Sequence, residues 1–365
     1  MLPLLLAALN LGADTLTVRQ DSISRDSVPT RVAIGGFIDR YYAWDTGHPR
    51  AIDRAYTTQP ARHNEFNVNL AFIEAVLTGS RVRGRLALQA GTSVQSNYFA
   101  EPQVGAVSGG VLSRHIQEAT VGVRLHPRLW FDGGIYLSYV GLEAWTSRDN
   151  PTYTRSLSAE FTPYYESGAK VTWQASPTVS AQFHVMNGWQ NISETNADKS
   201  VGTRIDWSPK PDLLLAWVTF AGNEQPDSMP SRLRVLSQLL ARWTPIGWEV
   251  SAFLDTGRQA RPDGGVDQWS GSSLIARRAV TPTVKVVGRV EHLFDQQQVL
   301  VRTNGSGGFR TSGASFGVDV APDSRVLWRT ELRGLRSRDP IWPTGGASTG
   351  SRTDRLLVTS LALTL

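Results

Sequence analysis

The chain contains no cysteine, so it has no disulfide framework, no thiolate chemistry and no cysteine-held zinc. Its six histidines are scattered and form no His-x-x-x-His pair. Beyond the first residues, no uninterrupted apolar run approaches the roughly 20 residues of a membrane-spanning helix. No lysine- or arginine-rich run of the nucleic-acid-binding type occurs either. We therefore expect no metal, no cofactor and no nucleic acid partner, and a bundle of membrane helices is excluded.

Aromatic residues and glycine are plentiful, with 12 Trp, 9 Tyr, 12 Phe and 33 Gly in 365 residues. Yet charged residues reach 19% and the mean hydropathy is only -0.22. A membrane β-barrel reconciles these values, because only one face of each strand meets lipid and the other can stay polar. The net charge of +5 fits anionic lipid, a cationic pore lining or ordinary surface charge equally well.

The N-terminus predicts a targeting segment. Residues 1–13 (MLPLLLAALNLGA) have a short apolar stretch and small residues near Ala13, which favours a secretory signal peptide, although the basic residues that usually precede the apolar stretch are missing. A buried N-terminal strand or helix is the alternative. Residues 14–30 are polar and are interpreted as a periplasmic lead-in.

From Arg31 onward the pattern alternates with period two, which indicates strands. Leu86 and Leu88 fall on one face of a segment whose other face carries Arg83, Arg85 and Gln89. A soluble sandwich would alternate in the same way, so the connections carry more information.

Short and long connections take turns along the chain. The short ones lie at 78–81, 126–128, 175–178, 208–212, 244–247, 281–283 and 321–324, and all but the first contain proline, which favours tight turns. The long polar ones lie near 45–64, 93–114, 141–163, 189–199, 222–231, 257–267, 295–307 and 336–352. Short turns at one end and long loops at the other are typical of outer-membrane barrels. We therefore predict an all-β, antiparallel transmembrane barrel over residues 31–365 with about sixteen strands.

Aromatic residues near strand ends fit the girdles at the two membrane interfaces. The candidates are Trp44, Trp130, Tyr139, Trp173, Trp207, Trp243, Trp248 and Trp328. The last strand ends on Leu365, where such barrels commonly end on an aromatic residue.

Several segments resemble the β-barrel porin-2 family of OmpL-like outer-membrane porins. Residues 36–44 (GFIDRYYAW) resemble that family's Gly-x-x-Asp-x-Tyr-Tyr start, and residues 150–157 (NPTYTRSL) resemble its Asn-Tyr-Ser-Arg-Ser segment. Residues 161–168 (FTPYYESG) follow in the expected place, and 185–191 (VMNGWQN) resemble its Asn-Gly-Trp motif. The resemblance implies a channel in a bacterial outer membrane, in contact with its lipid.

A barrel of this size is wide enough for passive diffusion of small hydrophilic solutes or ions. The alternation assigns the following charged residues to the lumen as pore-lining candidates: Arg83, Arg85, Asp132, Lys170, Arg204, Asp206, Arg234, Glu249, Arg289, Glu291, Arg329, Glu331 and Arg333. Basic groups outnumber acids on the inward faces, which predicts mild anion preference. Pairing of these charges across strands, with no selectivity, is the alternative. Small inward residues such as Gly122, Gly202 and Gly313 favour an open lumen.

The long connection 141–163 is less purely polar than the others, and residues 155–161 have the pattern of a short helix. We expect this connection to fold into the lumen as a constriction, with Arg148, Asp149, Arg155 and Glu160 near the pathway. An ordinary extracellular loop is the alternative.

An enzyme is not expected, because the histidines are isolated from any nucleophile motif. A non-conducting barrel with a structural or surface-partner-binding role remains the second hypothesis, and a soluble β-sandwich or propeller is a weaker one. The chain is too short for a plugged 22-stranded transporter. A homotrimer fits the size of the barrel, although no sequence feature identifies an interface.

Overall fold

The computed structural model describes residues 29–107, 110–345 and 350–365. The predicted signal peptide and most of the predicted lead-in lie outside the described residues. The first strand begins at Arg31, where the period-two alternation starts.

The described residues form one closed antiparallel barrel of sixteen strands, in which each strand pairs with its neighbours in the chain and the first pairs with the last. The strands are β1 (Arg31–Asp45), β2 (Phe66–Thr78), β3 (Val82–Ala90), β4 (Ile116–His126), β5 (Leu129–Leu137), β6 (Tyr165–Ser176), β7 (Val179–Met186), β8 (Ser200–Lys210), β9 (Leu213–Asn223), β10 (Leu233–Trp243), β11 (Trp248–Ala260), β12 (Val266–Ala279), β13 (Val284–Asp295), β14 (Phe309–Val320), β15 (Val326–Ser337) and β16 (Thr353–Thr364). The short helices are α1 (Thr92–Asn97), α2 (Gly110–Ser113) and α3 (Leu157–Glu160), with a 3₁₀ turn at Ser147–Asp149. The predicted fold class is confirmed.

The alternation separates two surfaces. Outward residues are apolar and exposed, such as Leu254, Leu332 and Phe316, each more than half exposed. Inward residues are mostly polar and buried. Closure of the sheet leaves no strand edge unpaired, as a wall in hydrocarbon requires.

Seven short turns alternate with eight connections at the other end, of which seven are long and one, at 261–265, has five residues. Arg31 pairs with Thr78, so β1 starts at the short-turn end. The predicted loop at 257–267 is wrong in extent, because β11 continues to Ala260 and β12 begins at Val266. Gly257 is part of a strand, where a side chain would overlap the ring of Trp269.

Most of the predicted girdle residues face outward. Trp173, Trp207, Trp243, Trp248 and Trp328 are all between 42 and 55% exposed near the short-turn end, and Trp44 is exposed at the long-loop end. Two assignments were wrong. Trp130 shares the inward face of β5 with Asp132, and Tyr139 lies beyond the end of β5 and turns inside, where it is 5% exposed.

Candidate functional site: the barrel lumen

The connection between β5 and β6, residues 138–164, is called the inner loop here. Most of it is buried, and it contains the 3₁₀ turn and α3. Its hydrogen bonds reach inward residues on the far side of the barrel, more than 100 positions away in the chain.

Arg329 on β15 holds the first part of the inner loop. Its guanidinium donates to the carbonyl oxygens of Ser147 at 2.8 Å, Thr152 at 3.1 Å and Asn150 at 2.9 Å. The same group forms two hydrogen bonds, 2.6 and 2.8 Å long, with the carboxylate of Asp319. An arginine presents five N–H groups in a fixed fork, so it can satisfy a carboxylate and several carbonyls at once.

Arg289 on β13 holds the next part. It donates to the Thr152 hydroxyl at 2.8 Å and to the Thr154 carbonyl at 2.5 Å. Glu331 accepts from the Thr154 amide at 2.8 Å and also pairs with Arg289 at 3.3 Å. Arg289 and Glu331 are fully buried here.

Glu291 anchors the start of α3. It accepts from the Leu157 amide at 2.7 Å and forms two hydrogen bonds of 2.9 and 3.0 Å with Arg333. Ser156 caps the helix by accepting from the Ala159 amide at 3.3 Å. A wall carboxylate thus satisfies an amide at the helix start that has no partner within the helix.

Two further wall arginines hold the beginning of the inner loop. Arg204 donates to the carbonyl oxygens of Tyr139 at 2.8 Å and Gly141 at 2.9 Å, and it pairs with Asp206 at 2.9 Å. Arg242 donates to the Leu142 carbonyl at 3.2 Å.

The apolar side chains of the inner loop pack on an apolar patch of the barrel wall. Tyr139 stacks on His184 with 4.0 Å between ring centroids and donates to the Thr219 carbonyl at 2.9 Å. The packed cluster includes Val140, Leu142, Val218, Phe220, Leu236, Leu240, Phe253, Trp269 and Ile275. A side chain at Gly202 would overlap the phenol of Tyr139, and one at Gly313 would overlap Leu335. The inference that small inward residues keep the lumen open was therefore wrong at these positions, where they make room for larger neighbours.

The facing wall, on β3 to β6, is less covered. Arg83 and Arg85 keep 21 and 24% of their side-chain surface exposed, against 0 to 2% for Arg289, Arg329 and Arg333. These two arginines are paired with wall carboxylates. Arg83 binds Asp132 through two hydrogen bonds of 2.5 and 2.6 Å and lies 4.5 Å over the Trp130 ring, whereas Arg85 pairs with Glu74 at 2.7 Å and with Glu118.

The four predicted constriction residues separate into two pairs. Arg148 extends to the short-turn end, where it donates to the carbonyl oxygens of Ser324 and Arg325 and to the Thr364 hydroxyl at 2.6 Å. Asp149 beside it is exposed within the barrel. Its position inside the barrel, where surrounding protein displaces much of the water, raises the pKa of Asp149 to about 6, while the charges of Arg148 and Arg85 act in the opposite direction.

Arg155 and Glu160 are buried within the packed loops. Arg155 lies 3.6 Å over the ring of Tyr164, and Glu160 accepts from the Thr58 amide at 2.5 Å and the Tyr164 hydroxyl at 2.9 Å. Burial raises the pKa of Glu160. Glu160 joins the inner loop to the loop between β1 and β2, and Arg155 packs within the inner loop.

The remaining candidates lie elsewhere on the inward face. Lys170 is half-buried on β6 with its ammonium 4.9 Å over the Tyr136 ring. Arg234 lies near the long-loop end of β10 and donates to Gln259 at 2.9 Å, whereas Glu249 pairs with Arg277 near the short-turn end.

Sequence reasoning missed Asp39, which is fully buried on β1 and accepts from Ser147 of the inner loop at 2.7 Å and from Asn69 at 2.9 Å. The period-two alternation could have identified Asp39 as an inward residue, since it lies between the outward Ile38 and Arg40.

No helix within the described ranges is long and apolar enough to cross a membrane. Across those same ranges, no group of histidine and acidic side chains is arranged to hold a metal ion.

Comparison with known proteins gives a family and a set of structural neighbours. The family model described as "Putative beta-barrel porin-2, OmpL-like" matches residues 31–365. No curated protein sequence matches the chain.

Among solved structures, the anion-selective porin from Comamonas acidovorans is similar at 10% identity and a TM-score of 0.61, over 92% of this chain and 100% of that one. The outer membrane channel DcaP of Acinetobacter baumannii is similar at 9% identity and a TM-score of 0.60, over 92% of this chain and 97% of that one. The trimer form of OmpT from Vibrio cholerae is similar at 9% identity and a TM-score of 0.59, over 92% of this chain and 99% of that one. At these identities the likeness is one of fold.

Proposed function

The chain belongs to the β-barrel porin-2, OmpL-like, family of outer-membrane channels, and we propose that it is a passive pore for small hydrophilic solutes with a mild preference for anions. The pathway runs between the inner loop and the wall formed by β3 to β6. Proteins of this family are typically channels rather than enzymes.

The observation that supports this pathway is that inward-facing arginines differ in solvent exposure between the two sides of the barrel. Arg289, Arg329 and Arg333 are almost completely buried, and Arg289 and Arg329 donate to the inner loop. Arg83 and Arg85 on the facing wall stay partly exposed. The inner loop is therefore held to one side, which leaves the other side for solute.

The anion preference is assigned to basic residues toward the short-turn end. Arg124 and Lys285 are exposed there, and Lys170 is half-buried. The arginines that hold the inner loop are screened by carboxylates and carbonyls, so they contribute little to the field that a solute experiences. Fewer basic side chains therefore act on the solute than the number of inward-facing lysines and arginines suggests, and the preference for anions is mild.

The test is conductance of the refolded protein in a planar lipid bilayer under a salt gradient. We expect discrete steps and a reversal potential on the anion side. The variant Arg124→Glu with Lys285→Glu should move that potential toward cations. Arg258→Glu with Lys210→Glu is the control with the same change in net charge, because Arg258 faces outward on β11 and Lys210 ends β8 at a turn.

A non-conducting barrel is the second candidate, because the inner loop and its apolar cluster fill much of the space next to β8 to β13. Absence of steps from a barrel shown to be folded by heat-modifiable mobility would overturn the pore and favour this candidate. A cation-side reversal potential would overturn only the anion preference.

A homotrimer is the assembly we propose for the pore, supported by the trimeric OmpT neighbour and by the apolar outward faces of the strands. Cross-linking in detergent followed by mass measurement tests it, and a monomer alone would contradict it.

A further inference from the structure

A groove crosses the outer surface of the barrel over β14, β15, β16 and β1, with a volume of about 560 Å³. Its floor is formed where the outward positions are small, at Ala314 and Gly334. Large apolar side chains border it on the side nearer the short-turn end, namely Phe316, Leu332, Leu357 and Trp44. The groove has the dimensions and the lining for hydrocarbon chains.

Outward arginines lie next to this groove toward the long-loop end. Arg355 is opposite Gly334 in the strand register, and Arg336 is opposite Thr353, two residues along β16. Arg336 and Arg355 are therefore diagonal neighbours on adjacent strands, and the Cα atoms of such pairs are about 7–8 Å apart. Arg338 follows, and its amide donates to the Arg310 carbonyl at 2.9 Å.

The contrast with the lumen is informative. Inside the barrel, Arg83, Arg204 and Arg329 each bind a carboxylate. Outside, Arg336 and Arg355 are exposed and form no ion pair or side-chain hydrogen bond with any residue of 29–107, 110–345 or 350–365. Arginine is suited to phosphate because its planar fork matches phosphate oxygens. Two guanidinium groups that lack a carboxylate partner lie here beside an apolar groove. This combination suits a ligand with a negatively charged head group and acyl chains.

The height of the cluster identifies the leaflet. Long loops of outer-membrane barrels are extracellular, and Arg336 and Arg355 lie within three residues of the long-loop ends of β15 and β16. The groove extends from there toward the short-turn end, so its apolar part faces the outer half of the bilayer.

We propose that this surface is a binding site for a phosphorylated, acylated glycolipid of the outer leaflet. Arg336 and Arg355 bind its phosphate groups, with Arg338 close by, and an acyl chain lies in the groove over Gly334. The inference rests on the outer-membrane barrel and not on conduction, so it survives if the barrel does not conduct.

The experiment is native mass spectrometry of the detergent-solubilised full-length barrel titrated with diphosphorylated lipid A. The variant Arg336→Gln with Arg355→Gln should lower the affinity on the order of 25-fold, because each basic residue at an anionic lipid surface contributes about fivefold. The matched control is Arg258→Gln with Arg81→Gln, which removes the same charge from β11 and from a turn at the opposite end. The control should bind like the unchanged protein.

A second variant tests the groove without changing charge. A Cβ at Gly334 would meet no atom within 4 Å, so Gly334→Leu fits the strand and fills the groove. It should lower the affinity roughly tenfold, the effect of about two methylene groups losing apolar contact. Heat-modifiable mobility verifies that each variant is folded.

Weaker binding of both variants, together with weaker binding of dephosphorylated lipid A to the unchanged protein, supports the site. Unchanged affinity in the arginine variant overturns it. Equal affinity for phosphatidylglycerol overturns the glycolipid assignment, since any anionic lipid would then suffice. Loss of an oligomer in the variants without a change in lipid affinity would identify the surface as an interface between copies of the chain and would also overturn the proposal.

Discussion

Arg329→Gln should release the inner loop from the wall. The guanidinium of Arg329 is 1% exposed and makes three hydrogen bonds to loop carbonyls and two to Asp319. Removing one partner of a buried ion pair costs about 3–5 kcal/mol, because the remaining charge is left without compensation. That cost falls on the wall. The equilibrium between the held and released loop shifts because three bonds to loop carbonyls are lost, each worth about 1.5 kcal/mol as a hydrogen bond from a charged group, which together correspond to a factor on the order of 10³.

The assay is single-channel recording, in which a released loop should give a larger conductance and more current noise than the unchanged protein. The second variant, Arg329→Gln with Asp319→Asn, removes both charges and restores compensation in the wall. It lacks the three bonds to the loop, so its conductance should stay altered while its resistance to urea recovers.

Arg83→Gln is the control on the facing wall, because Arg83 pairs with Asp132 and forms no hydrogen bond or ion pair with the inner loop. Its noise should match that of the unchanged protein. If the double variant of Arg329 and Asp319 is folded and conducts with the original step size and noise, the arginine does not hold the loop and the reasoning fails.

Further perturbations act on the same loop. Below about pH 6, protonation of Asp149 removes a negative charge near Arg85, so the anion preference should rise between pH 7 and pH 5, and Asp149→Asn should abolish that change in reversal potential. Leu157→Ala removes a fully buried side chain of α3 and should lower the free energy of unfolding in urea by about 2–5 kcal/mol, and an unchanged urea midpoint would argue against its packing. Gly202→Val places atoms where Tyr139 now lies and should increase current noise, and quiet recordings would show that the phenol does not fix the loop.

The architecture was predictable because its signals are local. Period-two alternation marks the strands and a proline marks six of the seven short turns, so the sixteen strands follow from counting connections. The error at 257–267 arose because Gly257 is a strand residue whose small size accommodates Trp269, which the sequence pattern does not distinguish from a loop glycine.

The candidate site was predictable only in part. The period-two alternation along each strand assigns Arg289 and Arg329 to the inward face. It does not show that their partners are carbonyl oxygens of residues 147–154. Those contacts join positions more than 130 residues apart. They are made to backbone carbonyls, which every residue type has, so the sequence does not reveal them. Likewise, the inward apolar residues Val218 and Phe220 are explained by the packing of Tyr139 against the wall, which depends on the path of the loop.

The anchoring of the inner loop also constrains how the barrel is assembled. Ser147 binds Asp39 on β1, and Arg148 binds Thr364 on β16, so one short segment contacts both strands of the final seam. The contact with Thr364 cannot form until the last strand has been made. In the closed barrel the inner loop therefore bridges the first and last strands from within.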